Sequence, residues 1–326
     1  METKMALNLK LALSAVLVFA HTLAFSAEYP DRAIKVIVPF AAGGITDVVS
    51  RVVAKEMSEN LKQPVIVENK PGVGGSHGAK LLSGSAPDGY TLGITTNGNM
   101  AANKFLYKDI GYDPEKDFTH LSILFAVPYM IIASENSGIK SIKQLIDRAK
   151  QPNERLSMAN GGFGTAVHLM AESFSKEAGI QISHIPYKGE APAVTDVLGG
   201  HTALGISSYS SIAQHISSGK IAVLAVTSKK RLSILPDVPT LAELGFDLPI
   251  TEAWFGIAGP KGLDAAVVSK LHKAIAASLE SEEVTKKVSS IGGRVIELDP
   301  VGSAKFVESE IPRWGQVIKQ ANIQPN

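Results

Sequence analysis

The residues best suited to chemistry near the start of the chain are a glycine pair followed by a threonine and an aspartate. They occur in VIVPFAAGGITDVVSRVVAKEM (36–57), where Gly43 and Gly44 separate an apolar run from a helical pattern containing Thr46 and Asp47. Glycine lets a ligand approach the backbone closely, and the first turn of a helix presents unpaired N–H groups with partial positive charge. The junction predicts a site for a small anion, although a glycine pair alone is more often a plain tight turn.

Asp47 is an unusual neighbour for a bare anion. The sequence leaves three interpretations of its carboxylate open: it caps the helix, it holds Thr46 in place, or it receives a ligand amine or a bridging water. Thr46 has two compatible roles, because its side chain can cap the helix and its hydroxyl can also donate a hydrogen bond to a ligand.

A second junction of the same kind occurs in LSMANGGFGTAVHL (156–169), again a strand, a glycine-rich turn, a threonine and a helix. Its recurrence favours a ligand site in which the two turns face each other across a cleft. His168, early in the predicted helix, is alternatively a packed core residue. The candidate ligand-binding residues of this second turn are Asn160, Gly162, Thr165 and His168.

Three further turns place polar groups at the ends of predicted strands: TTNGN (95–99), PYKGEAPAVTD (186–196) and SSYSS (207–211). No arginine lies in any of them, so recognition would use backbone N–H groups, hydroxyls and water. Such donors suit a small carboxylate better than a multiply charged phosphate. The candidates from these turns are Thr95, Asn97, Tyr187, Asp196 and Ser207, with Tyr187 alternatively only shaping its turn.

The motifs of several enzyme classes are missing from the sequence. The glycine turns lack the Lys-Ser/Thr of a phosphate-binding loop, no G-x-G-x-x-G opens the first helix, and no G-x-S-x-G nucleophile elbow occurs. The histidines show no metal-site spacing, and without cysteine there is neither a disulfide framework nor a cysteine metal site. We expect no metal, no cofactor and no catalytic residue, and we assign the glycine-rich PGVGGSHG (71–78) no role.

Apolar strand-like runs alternate with amphipathic helical segments along most of the chain, which predicts an α/β fold with parallel sheets covered on both faces. A single sheet of so many strands would be unusual, so two lobes are favoured. We expect a discontinuous first lobe formed by 27–126 and 253–326 and a second lobe formed by 127–252, with crossing strands near 126 and 252.

The N-terminal residues have the features of a secretory signal. Lys4 and Lys10 precede an almost wholly apolar run, and Ala24-Phe25-Ser26 offers a small-x-small cleavage site, so we expect residues 1–26 to be removed near Ser26 or Ala27. Cleavage removes Lys4, Lys10 and Glu2 and leaves 30 basic and 30 acidic residues. Near-zero charge argues against a nucleic-acid partner, and no later apolar run is long enough to span a bilayer.

Taken together, several blocks resemble the Bug-type periplasmic solute-binding receptors of tripartite tricarboxylate transporters. The first is YPDRAIKVIVPFAAGGITDVVSR, and VENKPGVGGSHGAKLLSGSAPDGYTLG, NGGFGTAVHLMAESF, HIPYKGEAPAVTDVLGGH, PTLAELGF and WGQVIKQANI follow in order. The resemblance covers essentially all of the chain after the signal. One departure is PKGLDAAVV, where such sequences often carry Pro-x-Gly-x-Pro.

This resemblance implies a two-lobed type II periplasmic binding protein fold that closes on a small carboxylate, partly through ordered water. It also implies transporter membrane subunits as partners, and we expect a monomer. The residues it places at the ligand are Phe40, Ala42, Gly43, Gly44, Thr46, Asp47, Asn160, Gly162, Thr165 and His168, with Tyr187 and Asp196 as weaker candidates. Two other hypotheses stay open: a secreted α/β hydrolase or transferase, and a ligand sensor for a membrane signalling partner.

Overall fold

The computed structural model describes residues 28–249 and 251–325, so the predicted signal segment 1–26 lies outside the described residues. The elements form two sheets. One has six strands and the other has five. We call the unit around the six-stranded sheet the first lobe and the unit around the five-stranded sheet the second lobe.

The first lobe begins with parallel strands. β1 pairs in parallel with β2 and β3, whereas β10 pairs antiparallel with β3 and β4, and β11 pairs antiparallel with β4. The strands are β1 Ile34–Val38, β2 Val65–Asn69, β3 Thr91–Thr96, β4 Phe118–Pro128, β10 Glu252–Pro260 and β11 Arg294–Val295. The helices are α1 Ile45–Leu61, α2 Ser76–Ser83, α3 Asn103–Leu106, α8 Ala265–Glu280, α9 Glu282–Ser290 and α10 Pro300–Ala321.

The second lobe has the same mixed character. β6 pairs in parallel with β7 and β8, and β5 pairs antiparallel with β8 and β9. The strands are β5 Met130–Ser134, β6 Ser157–Asn160, β7 Ser183–Pro186, β8 Leu204–Ser207 and β9 Ile221–Val226. The helices are α4 Ile142–Ala149, α5 Ala166–Glu177, α6 Glu190–Leu198 and α7 Tyr209–Ser217.

The expectation of parallel sheets was right for β1–β3 and β6–β8 and wrong for the remaining strands. The strands that carry the chain between lobes run antiparallel to their neighbours. β4 of the first lobe continues into β5 of the second with only Tyr129 between them, and no helix intervenes to reverse the direction. Thr227 links the connection at Tyr129 to the segment by which the chain returns to the first lobe. Its hydroxyl accepts from the Tyr129 N–H at 2.8 Å and donates to the Thr251 carbonyl at 2.8 Å.

The amphipathic pattern of α1 leads to one buried and one exposed face of the helix. Val49, Val53 and Met57 are buried against the six-stranded sheet, while Arg51 and Lys55 are exposed. Because residues spaced by three and four share one face of a helix, this face fixes how the helix lies on the sheet. The N-terminal end of α1 is thereby held beside the turn that follows β1.

A buried carboxylate joins β10 to the C-terminal helix α10. Glu310 is 3% exposed, and its Oε2 accepts hydrogen bonds from the indole N–H groups of Trp254 and Trp314, both at 2.8 Å. Its other oxygen accepts from Arg313 at 2.7 Å. Since both indoles are buried, this one carboxylate satisfies two donors that would otherwise lack a partner.

Across 28–249 and 251–325, no helix combines the length and apolarity needed to cross a bilayer. Over the same residues, no group of three or more histidine, aspartate and glutamate side chains is arranged to hold a metal ion.

Candidate functional site

A cavity lies between the two lobes, where the carboxyl ends of β1, β3 and β6 meet the helices that follow them. Its volume is about 40 Å³, several times the room that one buried water needs. The first lobe contributes the turn around Gly44 and Thr46, and the second contributes the turn around Thr165. The cavity is suited to a small ligand held from both sides.

The N-terminal turn of α1 offers free donors to this cavity. Gly44 is the N-cap residue, and no side chain among the described residues caps the helix. Gly44, Ile45 and Thr46 all line the cavity. The first N–H groups of a helix have no intrahelical partner, and they carry partial positive charge. Thr46 lines the cavity as well, so its hydroxyl is a further candidate donor to a ligand.

The Asp47 carboxylate stabilises this turn through hydrogen bonds. Its Oδ2 accepts from the Gly43 N–H at 3.0 Å, and its Oδ1 accepts from Asn69 at 2.9 Å and from Arg51 at 3.0 Å. Burial alone would raise the pKa of Asp47, but these hydrogen bonds and the charge of Arg51 hold that pKa below its ordinary value. Asp47 does not line the cavity, and its oxygens are engaged by the protein.

We expect the substitution Asp47→Asn to destabilise the protein by about 1–2 kcal/mol at neutral pH, because it weakens charge-assisted hydrogen bonds. The folded-state pKa lies below its ordinary value of 3.8, so this contribution is present above about pH 4 and disappears as pH falls further. The unfolding midpoints of wild type and variant should therefore converge in acid. Asp147→Asn, at an exposed pair on α4, is the control and should change stability by no more than about 0.5 kcal/mol.

The second turn is organised by its own threonine. Thr165 donates to the Gly162 carbonyl at 2.6 Å and accepts from the His168 N–H at 3.4 Å, which makes it the N-cap of α5. Thr165, Ala166 and Val167 line the cavity, so the first N–H groups of α5 face it. Two helix N-termini thus converge on one space.

His168 lies behind the second turn and does not line the cavity. Its Nδ1 accepts from the Gly164 N–H at 3.4 Å, its ring packs 4.7 Å from that of Phe163, and Nε2 is 3.5 Å from Glu172. This environment matches the alternative in which the histidine is a packed core residue.

Three predicted site residues carry buried polar atoms that lack a partner. Within the described residues, Thr95 Oγ1, Asn97 Nδ2 and Asn160 Nδ2 make no hydrogen bond. Thr95 lies near the end of β3, Asn97 follows that strand and lines the cavity, and Asn160 ends β6. A buried unpaired donor costs about 1–3 kcal/mol, so a ligand or water that accepts from Asn97 would be stabilised. Thr95 and Asn160 do not line the cavity.

The remaining candidates lie around the turn that precedes α6. The Tyr187 hydroxyl donates to Asp196 Oδ2, and burial together with this neighbour raises the pKa of Tyr187 to about 12. The Ser207 hydroxyl donates to Glu190 at 3.1 Å. Of the other residues of the first turn, Phe40 lines the cavity, whereas Ala42 and Gly43 are exposed and do not.

Among the lining residues that sequence reasoning missed are Tyr129, Glu190 and Phe255. Glu190 directly follows a glycine at a strand–helix junction, a signal that was visible in PYKGEAPAVTD. Tyr129 and Phe255 belong to the crossing region, and only the packing of the two sheets brings them to the cavity.

Hydrogen bonds to backbone carbonyls of the second lobe join the two lobes. The Ala41 N–H donates to the Lys188 carbonyl at 3.0 Å, and the Tyr107 hydroxyl donates to the Phe163 carbonyl at 3.1 Å. Gly74 has a φ of 56° and lies so close to the second turn that a Cβ atom there would be 2.2 Å from the Phe163 oxygen. The PGVGGSHG segment, to which no role was assigned, therefore forms part of the contact between lobes.

Known proteins resemble this chain over nearly its whole length. A sequence profile described as the tripartite tricarboxylate transporter family receptor matches residues 49–323. Protein BugT of Bordetella pertussis is 33% identical over 324 residues, covering 98% of this chain and 99% of BugT.

Solved structures are similar as well. The periplasmic binding protein BugD is 36% identical with a TM-score of 0.87, covering 91% of this chain and 100% of that one. The R. palustris protein Rpa4515, solved with adipate, is 34% identical with a TM-score of 0.87, covering 92% of this chain and 100% of that one. The predicted two-lobed periplasmic binding protein fold is thereby confirmed.

Proposed function

The chain belongs to the tripartite tricarboxylate transporter receptor family, and from that premise we propose that it captures a small carboxylate in the cavity between its lobes. The protein would then deliver this acid to the membrane subunits of such a transporter. The observation that carries the proposal is the set of donors around the cavity, namely the first backbone N–H groups of α1 and α5 and the unpaired amide of Asn97.

The cavity suits a carboxylate because of its hydrogen-bond donors and not because of cationic side chains. None of the described residues that line it is lysine or arginine, so a bound anion would be stabilised by backbone N–H groups, hydroxyls and helix dipoles. Phe40, Val167 and Phe255 provide an apolar surface for the carbon chain. Binding and release require no chemical step, and the family is one of solute-binding receptors.

Receptors of this family are periplasmic, which supports export of this chain with removal of residues 1–26 near Ser26 or Ala27. Mass measurement of the exported protein tests the cleavage position. The change of sheet at Tyr129 supports the division into 27–126 plus 253–326 and 127–252. We keep that division, the membrane-subunit partner and the monomeric state as parts of the proposal.

The test is a thermal-shift screen of mature protein that has been unfolded, dialysed and refolded to remove co-purified ligand. The panel contains aliphatic mono- and dicarboxylates, hydroxy acids, amino acids and aromatic acids. A ligand at about 100 times its dissociation constant adds roughly 2.7 kcal/mol of stability, which is a shift of several degrees. A panel in which no carboxylate shifts the midpoint contradicts the proposal.

We expect Thr46→Val to weaken binding of the acid with the largest shift by about 0.5–1.5 kcal/mol, because it removes one hydroxyl donor from the cavity. Isothermal titration calorimetry measures the change. Thr195→Val, at an exposed site on α6, is the matched control and should leave affinity unaltered. Equal affinity of the Thr46 variant and wild type would mean that this threonine has only a structural role.

A further inference from the structure

Glu190 places a carboxylate inside the proposed carboxylate site. It is the first residue of α6, is 8% exposed and lines the cavity between the lobes. A Cβ atom built on Gly44 would lie 3.6 Å from the Glu190 Cβ, and one built on Gly161 would lie 3.6 Å from its Cγ. The stem of Glu190 therefore runs between the glycine turns of the two lobes.

The surrounding serines fix one of its two oxygens. Glu190 Oε2 accepts from the Ser208 N–H at 2.9 Å, from the Ser208 hydroxyl at 2.6 Å, and from the hydroxyls of Ser207 and Ser211, both at 3.1 Å. Ser208 is the N-cap of α7, so the N-terminal end of that helix also stabilises the negative charge. This anchoring fixes the orientation of the carboxylate.

The other oxygen, Oε1, accepts none of these four hydrogen bonds. Glu190 forms no ion pair within 28–249 and 251–325, and the nearby Lys188 is exposed. Tyr129 lies beside the carboxylate: burial first, the charge of Glu190 second and a hydrogen bond to Glu190 third raise the pKa of that phenol. The groups that donate to the Glu190 carboxylate are uncharged, so they stabilise its negative charge without neutralising it. That charge therefore acts on a ligand that enters the cavity.

A ligand in this cavity therefore meets two opposite environments. The N-terminal turns of α1 and α5 attract an anion, whereas Glu190 repels a second anion and attracts a positive charge. The rings of Phe40, Tyr129 and Phe255, which also line the cavity, are compatible with a cation as well.

We propose that the ligand is a zwitterion, a small carboxylic acid carrying a positively charged nitrogen that lies against Glu190. Glu190 would then be the residue that selects amino acids over plain mono- and dicarboxylates. This inference rests on the proposed function, because it assumes that the acid group binds at the glycine turns.

Calorimetric titration of the refolded mature protein tests the inference with acids matched in length. The nitrogen series is β-alanine, 4-aminobutyrate, 5-aminopentanoate and 6-aminohexanoate, with L-alanine and L-aspartate for an α-nitrogen. The comparison series contains the unsubstituted acid and the dicarboxylate of each chain length. N-trimethylated forms of the same amino acids distinguish a primary from a quaternary ammonium group.

We expect the best amino acid to bind at least tenfold more tightly than its nitrogen-free counterparts. Glu190→Gln, which keeps the shape of the side chain, should remove most of this preference. Glu135→Gln, an exposed glutamate of the same lobe, controls for the loss of one charge and should retain the preference. The readout is a ratio of affinities, which a general loss of stability would not shift.

A plain acid or dicarboxylate that binds wild type as tightly as any amino acid overturns the inference while the proposed function stands. A Glu190→Gln protein with the wild-type ratio overturns it as well. If none of the acids binds, both the inference and the proposed function are wrong. The wild-type comparison decides the ligand class even if the variant does not fold.

Discussion

Gly74→Ala is expected to lower the affinity for the acid selected by the screen by about 100-fold or more, or about 2.7 kcal/mol. A Cβ atom at this position would lie 2.2 Å from the Phe163 carbonyl oxygen of the opposite lobe, a separation that real Cβ atoms essentially never show. The lobes would have to move apart, and ligand would lose the contacts from one side. Calorimetry measures the affinity, and small-angle X-ray scattering with saturating acid measures the compaction.

Gly179→Ala is the matched control for that substitution. Gly179 has a φ of 60°, close to the 56° of Gly74, but a Cβ atom there would meet nothing within 4 Å. Both variants carry the same cost of an alanine in the left-handed region, about 1 kcal/mol. If the Gly74 variant binds within threefold of wild type, the contact between lobes is not required for binding.

Glu310→Leu is expected to reduce the free energy of unfolding by about 2–5 kcal/mol, the largest stability effect that we predict. The substitution leaves the indole N–H groups of Trp254 and Trp314 without their shared acceptor in a buried environment. Glu310→Gln retains an acceptor oxygen and should cost less. Thermal and urea unfolding of the refolded protein measure both changes.

Glu308→Leu, two residues earlier on the exposed face of α10, is the control for a glutamate-to-leucine change in the same helix. Its effect should stay within about 0.5 kcal/mol. Similar midpoints for the Glu308 and Glu310 variants would show that the buried carboxylate does not hold β10 and α10 together.

The sequence was most informative where local physics decides the structure. The two strand–glycine–helix turns were predictable, since hydrophobic periodicity and the conformational freedom of glycine act over a few residues. The directions of β5 and β10 were not predictable from the sequence, because they depend on how the chain crosses between lobes. Helices α8 and α9 are hard to separate in the sequence, because only Ser281 lies between them.

In the candidate site too, local sequence identified some residues, whereas the position of others depends on the folded structure. Thr46 and Thr165 were identified from their place after glycine turns, and both line the cavity. The side-chain direction of Asp47 was not readable, because its partners Asn69 and Gly43 meet it only in the folded turn. Glu190 lies within the predicted turn PYKGEAPAVTD but was not predicted to contact a ligand, since local sequence does not reveal which side chains face a cavity between lobes.

Titration calorimetry of the refolded, ligand-free mature protein tests the central claim most directly. The titrants are the acid with the largest thermal shift and its uncharged primary amide, which has the same size but lacks the anion. We predict saturable binding of the acid at one site and at least 100-fold weaker binding of the amide, since helix N-termini favour negative charge. Equal affinity for the amide, or no saturable binding of any carboxylate, would contradict the claim that this cavity captures a carboxylate.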